Sequence, residues 1–112
     1  MNDAMDASAT LEEGTGGVFM LRGLLDFGTV TDLDARAREL FGEKKEITVD
    51  LSGVTRANSA GLALLLEWVR VARQQGRSFK FANIPAKLLS LAHVTQLDEF
   101  LPQADAGDRS TV

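Results

Sequence analysis

The sequence predicts a single α/β domain, a small mixed β-sheet with helices packed against it. Three observations lead there. Stretches of period-two alternation, such as Ile47-Thr48-Val49-Asp50-Leu51, take turns with stretches of helical spacing, such as Leu62, Leu65, Leu66 and Val69. Strands separated by helices imply crossover connections, and therefore parallel neighbours with helices laid on the sheet. The chain has 112 residues, 45% of them hydrophobic, which fits one domain able to bury a core without disulfide or metal staples.

The elements follow in order. Residues 1–9 are small and acidic and residues 103–112 are polar, so both ends are expected to be disordered, leaving 10–102 as the folded unit. Thr10 to Glu13 reads as a short strand, Gly14-Thr15-Gly16-Gly17 as a turn, and Val18 to Leu25 as a second strand closing an antiparallel hairpin. The glycine run lacks the Lys-Ser/Thr of a phosphate loop and precedes a strand, so a turn is its reading. An amphipathic helix comes next: Val30, Leu33, Ala37, Leu40 and Phe41 share a face, and Asp32 and Asp34 sit in the first turn, where the dipole favours acids. Thr29 or Thr31 caps it, and Gly42 ends it.

A charged turn from Glu43 to Glu46 leads into a strand over Ile47 to Leu51, followed by a loop. The longest helix runs from Ser59 to Gln75 and stops at Gly76. Phe79 to Ala82 reads as another strand. Pro85 opens a third helix, where its missing N–H does no harm, with Leu88, Leu91 and Ala92 facing inward. Leu97, Phe100 and Leu101 close the core.

The residue inventory favours binding over catalysis. Without Cys there is no disulfide, thiolate metal site or thiol nucleophile, and His93 alone cannot build a multi-histidine metal site. His93 reads as a half-exposed packing residue. No cofactor is expected. The net charge of −4 and the scarcity of aromatics argue against nucleic acid and anionic lipid as partners. Arg70, Arg73, Arg77 and Lys80 alternate with apolar residues and read as a solvated face. The acidic start differs from a secretory signal, and the uncharged apolar stretch from Ala60 to Leu66 is far shorter than the ~20 residues that cross a bilayer. The chain is therefore expected in the cytosol, reaching any membrane through a partner.

The most specific segment runs from Asp50 to Leu65. Asn58 has the side chain of an N-cap, Ser59 falls at the first helical position, and Gly61 removes a side chain where another backbone or a partner can approach closely. A phosphate on Ser59 would add about −1.5 to −2 charges against the positive end of the helix dipole. The domain could accept it, whereas a surface docked there would be disrupted. On the long helix, Leu62, Leu65, Leu66 and Val69 form one stripe and Leu64, Trp68 and Val71 a second. The second stripe either packs on the helix opened by Pro85 or forms a partner patch, and Trp is frequent at interface hot spots.

This segment resembles the STAS family, the domain of anti-sigma-factor antagonists and of the cytoplasmic ends of sulfate transporters. Asp50, Leu51 and Ser52 match the opening of its pattern, and Ser59, Gly61 and Leu62 match the switch. Asn58 and Ala60 stand where the antagonists have Asp and Ser, and Ser59 where they are phosphorylated. A narrower resemblance, from Gly23 to Pro102, is to the STAS subunit of Mla-type phospholipid transporters. It rests on Gly61-Leu62-Ala63-Leu64-Leu65-Leu66, Ala72-Arg73-Gln74-Gln75-Gly76, Leu88-Leu89-Ser90-Leu91-Ala92, Leu97 and Leu101-Pro102. The resemblance implies a STAS-like fold and a non-catalytic cytoplasmic accessory subunit. Such a subunit binds the ABC ATPase (MlaF-like) of a complex with its permease, lies peripheral to the inner membrane, and supports outer-membrane lipid asymmetry. The expected partner surface is Asn58, Ser59, Ala60, Gly61, Leu62, Leu64 and Trp68. The alternative is an antagonist-type phosphoswitch acting through Ser59, against which Asn58 and Ala60 count.

Overall fold

The computed structural model describes residues 8–104 in the order β1 (Ala9–Glu13), β2 (Val18–Leu25), α1 (Val30–Phe41), β3 (Glu46–Ala57), α2 (Ser59–Gln74), β4 (Ser78–Ala82), α3 (Ala86–Val94) and a 3-10 turn (Asp98–Phe100). Residues 1–7 and 105–112, most of the two ends expected to be disordered, lie outside the described residues. At the inner margins of those ends, Ala9 pairs with Gly23 and the Ala104 N–H donates to the Phe81 carbonyl. Residues 8–9 and 103–104, outside the expected 10–102, are thus hydrogen-bonded or paired with the sheet. The strands form one sheet in the order β1-β2-β3-β4, with β1 antiparallel to β2 and the other two pairs parallel. This is the mixed sheet the sequence predicts.

Strand β3 departs most from expectation, continuing to Ala57 through the expected loop. The cause is two single-residue bulges. Between Met20 and Arg22 of β2 the partner advances from Asp50 to Gly53, and between Gly23 and Leu24 it advances from Val54 to Arg56. Each bulge interrupts the alternation, so Ile47, Val49 and Leu51 are followed by Val54 as the next buried residue. A period-two reading therefore loses the strand at Leu51. Gly23 serves the facing edge: its φ is +100°, and a Cβ there would fall within 2.2 Å of the Ser8 carbonyl oxygen.

One face of the sheet is apolar and buried, carrying Leu11, Phe19, Leu21, Leu25, Ile47, Val49, Leu51, Phe79 and Phe81. The alternating positions Thr10, Glu12, Arg22, Ser52 and Lys80 are exposed. Helix α1 buries Leu33, Ala37 and Phe41, and α2 buries Leu62, Leu65 and Val69 of the first stripe read from the sequence, with Leu66 half-buried. Leu88, Ala92 and Leu101 complete the core, while Phe100 is 44% exposed rather than buried.

An aromatic cluster joins helices to sheet. Phe41 meets Phe19, Trp68 and Phe79 edge-to-face at centroid distances of 5.1, 5.5 and 5.6 Å. Such contacts each add about 0.5–1.5 kcal/mol beyond area burial. Trp68 of the second α2 stripe thus packs on α1, a partner that neither sequence alternative named. Leu64 and Trp68 are both buried, and the indole N–H donates to Asp34 Oδ1 at 3.0 Å.

Trp68→Ala is therefore expected to cost about 3–5 kcal/mol in urea unfolding followed by circular dichroism. Trp68→Phe keeps a ring against Phe41 but removes the donor to Asp34, and should cost about 1–2 kcal/mol. Equal stability of Trp68→Ala and wild type would contradict this packing role.

Candidate functional site

The parallel strands β2 and β3 end side by side, and the two turns that follow form a rim. Its first half is a closed loop. The Gly28 N–H donates to Asp26 Oδ1 at 2.8 Å, and the N–H groups of Thr29 and Val30 both donate to the Asp26 carbonyl. Thr29 occupies the N-cap position of α1, yet its hydroxyl makes no capping bond. It donates to the Leu24 carbonyl at 2.7 Å and accepts from the Asp26 N–H at 3.1 Å, pinning the loop to its strand. Phe27 stands at the crest, 79% exposed.

The second half is the start of α2. Asn58 is the N-cap, as its side chain suggests: Oδ1 accepts from the N–H groups of Ala60 at 2.9 Å and Gly61 at 3.3 Å. The Asn58 N–H donates to the Leu25 carbonyl at 3.1 Å, which ties this half to the end of β2. Gly61 allows the contact, because a Cβ there would lie 2.6 Å from Leu25 Cβ and 2.8 Å from its carbonyl oxygen. Ser59 is exposed and its hydroxyl engages no partner among the described residues. The first turn of α2 contains no acidic residue, so the helix itself places no carboxylate at the positive end of its dipole.

The expected seven-residue surface divides on this geometry. Asn58 and Ser59 are exposed and Ala60 is half-buried, whereas Gly61, Leu62, Leu64 and Trp68 are buried. Of the buried four, Gly61 lies against Leu25 at the rim, while Leu62, Leu64 and Trp68 belong to the core. The sequence reading passes over Phe27, although an aromatic inside an Asp-x-Gly turn after a strand is a recognisable signal. Beside the rim, Val54 to Ala57 and Pro85 to Leu88 line an open cleft that carries Arg56 and Lys87.

The opening of the motif has a structural task. Asp50 Oδ1 accepts from the Ser52 N–H at 2.8 Å, and Oδ2 accepts from Asn83 Nδ2 at 3.2 Å, bracing the first bulge of β3 against the turn after β4. Partial burial pushes the Asp50 carboxyl up, but the Ser52 and Asn83 hydrogen bonds and the Arg22 charge outweigh it and hold the group below its ordinary 3.8. His93 is exposed, with Nδ1 at 3.2 Å from Asp98 Oδ2. Arg70 pairs with Glu67 at 2.6 Å on the solvated face, and Arg77 donates to the Gly42 carbonyl. Among the described residues, no group of three or more His, Cys, Asp or Glu is placed to hold a metal, and no helix is long and apolar enough to cross a membrane. What the rim offers is a hydrogen-bonded surface whose residues, Asp26 apart, are uncharged.

Comparison with known proteins places this geometry among relatives. The family described as "Mlab, STAS domain" (STAS_2) matches residues 8–103. The chain is 34% identical over 84 residues to the intermembrane phospholipid transport system binding protein MlaB of Escherichia coli (strain K12), spanning 74% of this chain and 84% of the relative. MlaB of Shigella flexneri matches with the same figures. The structure is similar to the anti-sigma factor antagonist SpoIIAA in its unphosphorylated form, with a TM-score of 0.65 and 18% identity over 91% of this chain and 92% of that one. It is also similar to an anti-sigma factor antagonist from Mycobacterium paratuberculosis, with a TM-score of 0.64 and 21% identity over 92% and 90% of the two chains. At these identities the structural likeness establishes the fold alone.

Two outcomes test the rim's construction. Asn58→Ala should cost about 1 kcal/mol in chemical unfolding, as loss of a cap does, with Ser59→Ala near neutral. Gly61→Ala would stabilise an open helix by about 1 kcal/mol, but here it should destabilise the fold because Leu25 occupies the space. Asp50 adds a pH signature. Its depressed pKa contributes stability that is fully present above 3.8 and is lost as pH falls through the lower folded value. The stability gap between wild type and Asp50→Asn should accordingly narrow on acidification below about pH 4, and a constant gap would refute this account.

Proposed function

The chain belongs to the MlaB-type STAS domain family, and from that footing we propose that it is the non-catalytic accessory subunit of a phospholipid-transport ABC complex, docked on the complex's ATPase. The carrying observation is the rim itself. Asn58, Ser59 and Ala60 present an exposed, uncharged helix start, fixed to the end of β2 by the Asn58–Leu25 hydrogen bond and the Gly61 contact. A surface of small side chains lets a partner approach the backbone closely, and depletion of charge is characteristic of the centre of an interface. The chain supplies no chemistry in this reading. It braces the ATPase on the cytoplasmic side of the inner membrane, peripheral to the bilayer through its complex, and so supports outer-membrane lipid asymmetry.

A second reading draws support from the free Ser59 hydroxyl. In it the domain is a phosphoswitch of the anti-sigma-factor-antagonist type. Ser59 at the first helical position can carry a phosphate facing the dipole, although Asn58 replaces the acidic residue of the antagonist pattern.

Co-expression with the Mla-type ABC ATPase of the same organism decides between them. Ser59→Glu and Ala60→Trp should each abolish co-purification of the ATPase while circular dichroism and the unfolding midpoint remain those of the folded domain. Survival of the complex in both variants would remove the rim from the interface. A single added phosphate on Ser59, seen by intact mass after incubation with anti-sigma kinases, would favour the second reading.

A further inference from the structure

Phe27 is the most exposed large hydrophobic side chain among the described residues, at 79%. Leaving such a ring in water forgoes the free energy that burial of its apolar surface would release. Its backbone is nevertheless tightly held: the Asp26 carboxylate and carbonyl and the buried Thr29 hydroxyl together close the loop beneath it. A flexible loop would let the ring fold back onto the surface. This one holds it out, which lowers the ordering cost of burying it against a partner.

We propose that Phe27 is the apolar anchor of the docking rim, seated in an uncharged apolar pocket of the ABC ATPase. The inference rests on the docking reading above. Phe27 lies two residues beyond Leu25, whose carbonyl holds the Asn58 N–H, so roughly 7–8 Å of chain separates it from the α2 start. Gly28 to Thr31 and Asn58 to Ala60 are all uncharged, so ring and helix start each adjoin neutral residues, with Asp26, bonded to the Gly28 N–H, on the chain between them. An aromatic anchor ringed by small neutral residues is the composition of an interface hot spot. Val94, the other strongly exposed apolar residue, sits at the far end of α3, the helix whose first residues adjoin Ala57.

The surroundings also favour the ATPase over other occupants. Asp26 and Asp32 flank the loop and the chain carries a net charge of −4, which opposes insertion of Phe27 into an anionic bilayer. A symmetric contact centred on Phe27 would bring the Asp26 carboxylates of two copies toward each other, like charge against like.

The test measures binding of the full chain to the purified Mla-type ABC ATPase of the same organism, with sedimentation of the chain alone and thermal unfolding alongside. Phe27→Ala should weaken binding by about 30-fold or more and leave the unfolding midpoint unchanged, and Phe27→Trp should recover most of the affinity. Wild-type affinity in Phe27→Ala, with Ser59→Glu still unable to bind, would overturn the anchor and leave the docking reading standing. Failure of the wild-type chain to bind would remove both. A wild-type dimer that Phe27→Ala converts to monomer would assign the ring to self-association, and a lowered midpoint in Phe27→Ala would make it a structural residue; either result overturns the proposal.

Discussion

The close approach of α2 to the end of β2 governs this structure. A backbone hydrogen bond from Asn58 to Leu25 and the absence of a side chain at Gly61 bring a helix start within van der Waals reach of a strand terminus. The approach aligns two loops that are distant in sequence and makes them one surface. It also aims the N-terminus of α2 outward with its first N–H groups held by Asn58 and no acid in its own first turn. The bulges in β3 serve the same end, because they let a long strand keep pace with β2 up to the point where the helix must begin.

The family motif divides into two physical tasks. Asp50, Leu51 and Ser52 are framework: Leu51 is fully buried, and the Asp50 carboxylate bonds Ser52 and Asn83. Asn58, Ser59 and Ala60 are surface, uncharged and rigidly placed. A substitution in the first group is felt through folding, as is loss of the Asn58 cap, whereas Ser59 and Ala60 face outward only a few residues away. The chain's place in the MlaB-type STAS family agrees with this division, since a fold common to phosphoswitch antagonists and transporter-associated domains can keep its framework while the surface residues change.

Much of this was legible beforehand. Hydrophobic spacing located every helix and strand, because each element buries one face and the pattern records it. The Asn58 cap was legible as well, since capping is local chemistry. The extension of β3 was not, because each bulge breaks the alternation by which strands are recognised, and Gly53 in that stretch reads as a loop residue. Nor was the destination of the second α2 stripe. Leu64, Trp68 and Val71 announce an apolar face, but the choice among α1, α3 and a partner depends on how the helices cross. Phe27 escaped notice for the opposite reason. Its importance lies in being exposed, and periodicity finds only what is buried.

The position of Trp68 has a practical side. The chain holds one Trp and no Tyr, so its intrinsic fluorescence on excitation near 295 nm (about that wavelength selects indole) comes from a single ring packed on Phe41 with its N–H on Asp34. That indole lies in the interface between α1 and α2, whereas the rim is built on the strand ends. Emission from this one fluorophore therefore follows the integrity of the helix layer, and the molecule carries its own optical gauge by which a chain that has lost its grip on a partner is told apart from one that has lost its shape.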